Sequence, residues 1–169
     1  NVLGTRNVLA TAKTLGVSRV VLTSSAATLG VPTEARPILD ERSPYNRHAR
    51  EFHYAHSKVL AEAEMPRALS QGQDVVCVNP SIVIGRRDIN FVGGEILRAA
   101  NKGWLLIITP GGTGVVSAQA VGRGHVLAAE RGQCGERYVL NGENVSHWDL
   151  ASLCASLTGR HPPVAVLPK

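Results

Sequence analysis

Tyr54 and Lys58 stand four residues apart in Tyr54-Ala55-His56-Ser57-Lys58. On a helix that spacing puts both side chains on one face, so a phenol and an ammonium can approach a common point. A free phenol, with a pKa of about 10, is a poor base at neutrality, but a neighbouring cation favours the phenolate and makes the pair a proton donor and acceptor for a substrate oxygen. The same five residues also read as a solvated helix face. Ser24-Ser25 weighs against that plainer reading, because it ends the β-branched run Arg19-Val20-Val21-Leu22-Thr23, and ligands of open α/β sheets bind at the carboxyl ends of parallel strands. Asn79-Pro80-Ser81 ends a second apolar run in the same way. Two other clusters carry less. His48, His53 and His56 include an H-x-x-H spacing without a third ligand, so no metal site is expected, and Gly111-Gly112-Thr113-Gly114 reads as a turn rather than a phosphate cradle.

The elements that must position these residues follow from periodicity. Leu3, Val8, Leu9, Ala12 and Leu15 recur at helical spacing, with Gly16 as a stop. Residues 19–23 read as a buried strand, and residues 30–50, punctuated by Pro32, Pro37 and Pro44, as a loop. A helix is expected from about Glu51 toward Leu69, kinked or ended by Pro66. Asp74 to Val78 reads as a second buried strand, stopped by Asn79-Pro80. Further on, Gly94 to Asn101 and Val121 to Glu130 read as helices, and Trp104 to Thr109 and Arg137 to Leu140 as strands. The last helix follows a capping box, Ser146 with Asp149, and ends at Gly159. Buried strands alternating with helices predict an α/β fold with a parallel sheet.

The chain has 169 residues, 44% of them apolar, with no apolar run long enough to span a bilayer. A folded chain of that length buries roughly 70% of its unfolded surface, so neither disulfides nor a metal need hold it together. Cys77, Cys134 and Cys154 include no C-x-x-C pair and suggest a reducing, cytoplasmic setting. The charge of +5 comes from 18 basic groups, 14 of them Arg, scattered along a chain that is only 4% aromatic, which speaks against a nucleic-acid surface. Neither end carries an initiator Met, a signal or a transit-like segment, so the chain reads as an excised piece of a larger domain.

Taken in order, these motifs resemble the extended short-chain dehydrogenase/reductase family, in particular its dihydroflavonol-4-reductase-like and nucleotide-sugar epimerase branch. Asn1-Val2-Leu3-Gly4-Thr5 resembles the family's N-x-x-G-T helix, and Val21-Leu22-Thr23-Ser24-Ser25-Ala26 its catalytic-serine strand end. Tyr54 to Lys58 matches Y-x-x-x-K, followed by the usual Ala61-Glu62. Val78-Asn79-Pro80, Gly85, Gly124-His125 and Gly135-Glu136-Arg137-Tyr138 resemble downstream segments.

The resemblance implies one incomplete, Rossmann-like NAD(P)-binding domain over residues 1–169, with substrate-region elements from about residue 85. It implies that Tyr54 is the general acid/base, that Lys58 favours its phenolate and holds the nicotinamide ribose, and that Ser25, or as the second choice Ser24, hydrogen-bonds the substrate oxygen. Thr23, Ser24, Tyr54, Lys58, Asn79, Pro80 and Ile82 would face NAD or NADP, and Asn1 would stand at the family's active-site Asn. A small-molecule hydroxyl or carbonyl compound, or a nucleotide sugar, would be the substrate, and two copies would pair through the helix carrying Tyr54. The rival readings are an epimerase or dehydratase with tightly bound NAD, and a non-catalytic dinucleotide-binding module or inert fragment. Two departures stand out: no Gly-rich dinucleotide turn is present, and Ala120 replaces an Asp that in the family caps the helix bearing Gly124-His125.

Overall fold

A computed structural model describes residues 1–35, 37–90 and 93–168. In chain order the elements begin with α1 (Val2–Thr14), β1 (Val20–Thr23), a 3-10 helix (Ala26–Leu29), α2 (His53–Glu62), α3 (Met65–Ser70), β2 (Val75–Pro80) and β3 (Ile82–Ile84). They continue with α4 (Glu95–Asn101), β4 (Ile107–Ile108), β5 (Gly112–Ser117), α5 (Ala118–Arg131), β6 (Arg137–Leu140), β7 (Glu143–Ser146), α6 (His147–Leu157) and β8 (Ala165–Val166). The chain divides into two compact units, residues 1–81 with 121–140 and residues 82–120 with 141–169.

The first unit is built on a parallel sheet of order β1-β2-β6, with Val20 beside Val75 and Val78 beside Tyr138. Every residue of β2 is buried, which its unbroken apolar run requires of a strand covered on both faces. The pleat then sorts the side chains. Val75 and Cys77 pack with Leu9 of α1 and Met65 and Ala68 of α3, while Val76 and Val78 pack with Ala128 of α5. Gly124 of α5 faces the sheet closely enough that a Cβ there would come within 2.8 Å of the Leu140 side chain. Arg19 adds a clamp, its guanidinium held by Asp74 at 2.7 Å and donating to the Ala129 carbonyl near the end of α5 at 3.0 Å.

Two expectations about this unit are corrected. The helix expected from Glu51 to Leu69 is two helices, and Pro66 lies in the first turn of α3, where no backbone N–H is needed. Asn79-Pro80 do not stop β2, which runs through both and pairs them with Val139 and Leu140. β1 has already ended at Thr23, so no strand on that side requires the N–H that Pro80 lacks. The long loop before α2 is tied down by Asn46, which exchanges hydrogen bonds of 2.9 Å with the Val31 backbone, and by Glu41, which accepts from the Val139 amide of β6 at 2.9 Å.

The second unit holds a sheet of order β3-β5-β7, in which β5 runs parallel to β3 and antiparallel to β7. Its core joins Ala100 of α4 to Leu150 and Cys154 of α6. Gly111 to Gly114, expected as a turn, lead into β5 instead, and a Cβ on Gly112 would lie 2.6 Å from the Val145 carbonyl oxygen, so glycine serves close approach of the strands. The strand expected over Trp104 to Thr109 shortens to Ile107–Ile108, because its partner β8 offers only Ala165 and Val166. Ser146 caps α6 as the spacing predicts, accepting from the Asp149 amide at 3.0 Å. Ala120 leaves no missing cap: α5 begins at Ala118, and the Ser117 hydroxyl accepts the Ala120 amide at 3.1 Å. Among the described residues, no helix is long and apolar enough to cross a membrane.

Two measurements test these assignments. Ser117→Ala should lower unfolding stability in urea by about 1 kcal/mol, the ordinary worth of an N-cap, and an unchanged midpoint would remove Ser117 from that role. Arg6 and Glu64 form an ion pair of 2.6 Å between α1 and the residue preceding α3. The hydrogen bond from Arg6 holds the Glu64 carboxyl below its ordinary range. A lowered folded-state pKa gives stability that is present above the unfolded value and lost as pH falls through the folded one. Glu64→Gln should therefore be less stable than the parent at neutral pH, and the gap should close in acid; a gap independent of pH would contradict the pair's contribution.

Candidate active site

Lys58 lies one helical turn beyond Tyr54 on α2, and its ammonium donates to the Thr23 carbonyl at 3.1 Å, where β1 ends. That bond joins the helix with the phenol to the strand that leads into Ser24 and Ser25. One donor of the ammonium is used there; its two other protons have no partner among the described residues. Tyr54 is 49% exposed, and its hydroxyl makes no hydrogen bond among the described residues. Asn1 reaches across from the start of α1, donating to the Ser57 hydroxyl at 2.7 Å, which in turn donates to the Tyr54 carbonyl at 2.7 Å.

The two serines at the strand end are separated by the alternation of the backbone. Ser24 is 6% exposed and gives its hydroxyl to the Glu62 carboxylate of α2. Ser25 caps the 3-10 helix, its oxygen accepting from the Ala27 amide at 3.2 Å, while its own proton goes to no group among the described residues. An unused hydroxyl proton at the carboxyl end of a parallel strand is suited to stabilise negative charge on a substrate oxygen. Thr23 faces another way: its hydroxyl lies 2.8 Å from His125 Nε2, and His125 Nδ1 lies 2.8 Å from the Val121 carbonyl oxygen. A carbonyl only accepts, so in the neutral ring Nδ1 carries the proton and Nε2 accepts from Thr23.

Asn79 is 0% exposed, so its side chain faces the interior. Its amide donates to Glu62 Oε1 at 2.7 Å, to Thr28 Oγ1 at 2.9 Å and to the Ser25 carbonyl at 3.2 Å. Pro80 is buried at the end of β2, and Ile82 opens β3 in the second unit. The structure therefore joins Ser24, Ser25 and Asn79 through Glu62 and Thr28, with the separate Lys58 to Thr23 bond at the same strand end and Tyr54 exposed.

Sequence reasoning did not assign roles to Thr28, Glu62, His125 and Arg137. Arg137 Nε lies 3.4 Å from Glu62 Oε2, and Nη2 donates to Thr28 at 3.1 Å. One signal was available, since Glu62 continues the Tyr54, Lys58 spacing by a further four residues. The histidines serve locally: His48, before α2, accepts the Arg50 amide on Nδ1 at 3.2 Å, and the His56 ring, on α2, sits 6.4 Å from that of Tyr45. Among the described residues no group of three or more His, Cys, Asp or Glu could hold a metal ion.

Cys77 lies beneath this assembly, with Sγ 3.6 Å from Asn79 Oδ1. Burial above all, with the Glu62 carboxylate, pushes its thiol up to about 12. Cys134 is exposed, and Cys154 is buried with its thiol also raised by burial. Iodoacetamide at about pH 8 should thus modify Cys134 alone in the folded protein and all three cysteines after denaturation, because the thiolate is the nucleophile. Labelling of Cys77 at the rate of Cys134 would contradict this placement.

The pattern of the NAD dependent epimerase/dehydratase family matches residues 1–140. A Synechocystis sp. protein named for dihydroflavonol 4-reductase is 36% identical over 174 residues, an overlap that covers 99% of this chain and 50% of the relative. The crystal structure of gox2253 is similar at 33% identity with a TM-score of 0.87, covering 99% of this chain and 51% of that one. PA4631, a nucleoside-diphosphate-sugar epimerase from Pseudomonas aeruginosa, is similar at 27% identity with a TM-score of 0.84, covering 94% and 52%. The chain thus spans about half the length of the relatives it matches. Parallel strands flanked by helices agree with these likenesses, and the chain belongs to the NAD dependent epimerase/dehydratase family.

Proposed function

We propose that the protein containing this chain is an NAD(P)-dependent reductase acting at a hydroxyl or carbonyl carbon of a small molecule, of the dihydroflavonol-4-reductase type, with Tyr54 as its acid/base. The observation that carries this reading is the exposed, unbonded Tyr54 phenol one turn before an ammonium anchored at the end of β1. A bound nicotinamide supplies or accepts the hydride. Tyr54 gives a proton to the substrate oxygen in reduction and takes it back in oxidation. Ser25 donates to the same oxygen and stabilises its developing charge. Lys58 stabilises the phenolate left behind and has two protons for the ribose hydroxyls.

The residues present fit the nicotinamide end of such a cofactor. Lys58, Tyr54 and Ser25 offer unused donors at the strand end, while Ser24 and Asn79 support them from the interior. For the pyrophosphate end, Gly111 to Gly114 do not serve, since they lead into a paired strand. In this reading residues 1–81 and 121–140 form the cofactor side, and the second unit belongs to the substrate region.

A second reading, a nucleotide-sugar epimerase or dehydratase that keeps its NAD, is favoured by the likeness to PA4631. The test is reduction of a dihydroflavonol with NADH or NADPH by the protein containing this chain, followed by loss of reduced-nicotinamide absorbance, beside Tyr54→Phe. The variant should lose at least about a hundredfold in kcat, the usual worth of a positioned acid/base, with cofactor binding nearly unchanged. Unchanged turnover would overturn the role of Tyr54. Protein purified with bound NAD that converts one nucleotide sugar into another would favour the second reading, and cofactor binding without either activity would leave a binding module.

A further inference from the structure

Tyr54, Lys58 and Glu62 follow one another at four-residue intervals along α2. Each step advances about 40° round the helix beyond a full turn, so all three lie along one face. The first two meet a strand end and solvent; the third is turned inward, its side chain 14% exposed. Oε1 of Glu62 receives the Ser24 hydroxyl, the Asn79 amide at 2.7 Å and the Thr28 hydroxyl at 2.9 Å. Oε2 faces Arg137 of β6 at 3.4 Å. One carboxylate therefore joins α2 to the end of β1, the 3-10 helix, the end of β2 and β6.

Ser25 sits inside this set of bonds. Its neighbour Ser24 is held by Glu62, its own carbonyl accepts from Asn79 at 3.2 Å, and its third successor Thr28 shares one hydroxyl proton between that carbonyl at 2.8 Å and Glu62 Oε1 at 2.9 Å. Neither the Ser24 to Leu29 turn nor α2 can slide past the other without breaking several buried hydrogen bonds at once. We propose that Glu62 is a positioning residue for proton transfer: by tying the helix that carries Tyr54 to the turn that carries Ser25, it sets the separation of phenol and hydroxyl across the substrate oxygen. This rests on the reading of Tyr54 and Ser25 given above.

A carboxylate that only neutralises Arg137 would need its charge, whereas one that positions by reach needs an acceptor oxygen at the right distance. Glu62→Gln keeps the reach and loses the charge; Glu62→Asp keeps the charge and shortens the arm by about 1.5 Å. Both variants are compared in the protein containing this chain, with dihydroflavonol and NADPH, at a temperature where circular dichroism shows each folded and with rates expressed per folded site. Glu62→Asp should lose about tenfold or more in kcat, with the cofactor KM within about threefold, as misplacement of reacting groups dictates. Its solvent deuterium isotope effect on kcat should rise, because a misaligned proton transfer becomes rate-limiting. Glu62→Gln should retain more kcat than Glu62→Asp.

The reverse order, or a Glu62→Asp loss with an unchanged isotope effect, overturns the proposal. Thr28→Val provides a second variant should Glu62→Asp not fold; it should raise the same isotope effect, and wild-type values there overturn the proposal as well. Tyr54→Phe in the same assay separates the two layers. If it is inactive while Glu62→Asp behaves as wild type, only the positioning role falls, and if it is active the acid/base reading falls and takes this one with it.

Discussion

β2 is covered on both faces, and the arrangement of the first unit follows from that. A strand with side chains pointing alternately into two helical layers must be apolar along its length, as Val75, Val76, Cys77 and Val78 are. Asn79 continues the strand into the same interior with a polar side chain, and a buried amide left without partners costs roughly 1–3 kcal/mol. Its carboxylate partner Glu62 is itself shielded from water and faces Arg137. The polar assembly behind the strand ends is thus the physical consequence of placing one polar side chain, Asn79, within a fully buried strand.

That consequence divides the polar residues into two groups. Ser24, Thr28, Asn79 and Glu62 satisfy one another inside. Ser25 and Tyr54 each keep a hydroxyl proton that no described residue takes, and Lys58 keeps two of its three. The first group is held by hydrogen bonds in the interior, and the second is anchored at its backbone or base while its polar tips remain available. Such a division suits a site in which protons move between groups whose positions do not.

The elements legible from sequence are those whose signal is local. β1 and β6 follow from β-branched and aromatic runs, α1 from its apolar period and its glycine stop, and α6 from the Ser146 and Asp149 cap. β5 and β7 were not legible, because one opens on glycine and the other is largely polar, and their pairing of Thr113 with Val145 joins residues far apart in sequence. The cap of α5 is hidden from local sequence for a related reason: Ser117 serves as a cap only because β5 ends there.

The sequence by itself determined the chemistry on offer: a phenol and an ammonium one turn apart, serines at a strand end, and an apolar run that only a doubly covered strand can use. These are properties of residue type and spacing, which helix and strand periodicity convert directly into faces. Only the tertiary structure decided which serine faces inward, that Asn79 is enclosed rather than open, and that Glu62 gathers donors from β1, the 3-10 helix and β2. Hydrogen bonds between residues seventeen to thirty-eight positions apart have no counterpart in local spacing, because they exist only once the strands are paired and the helices are packed against them.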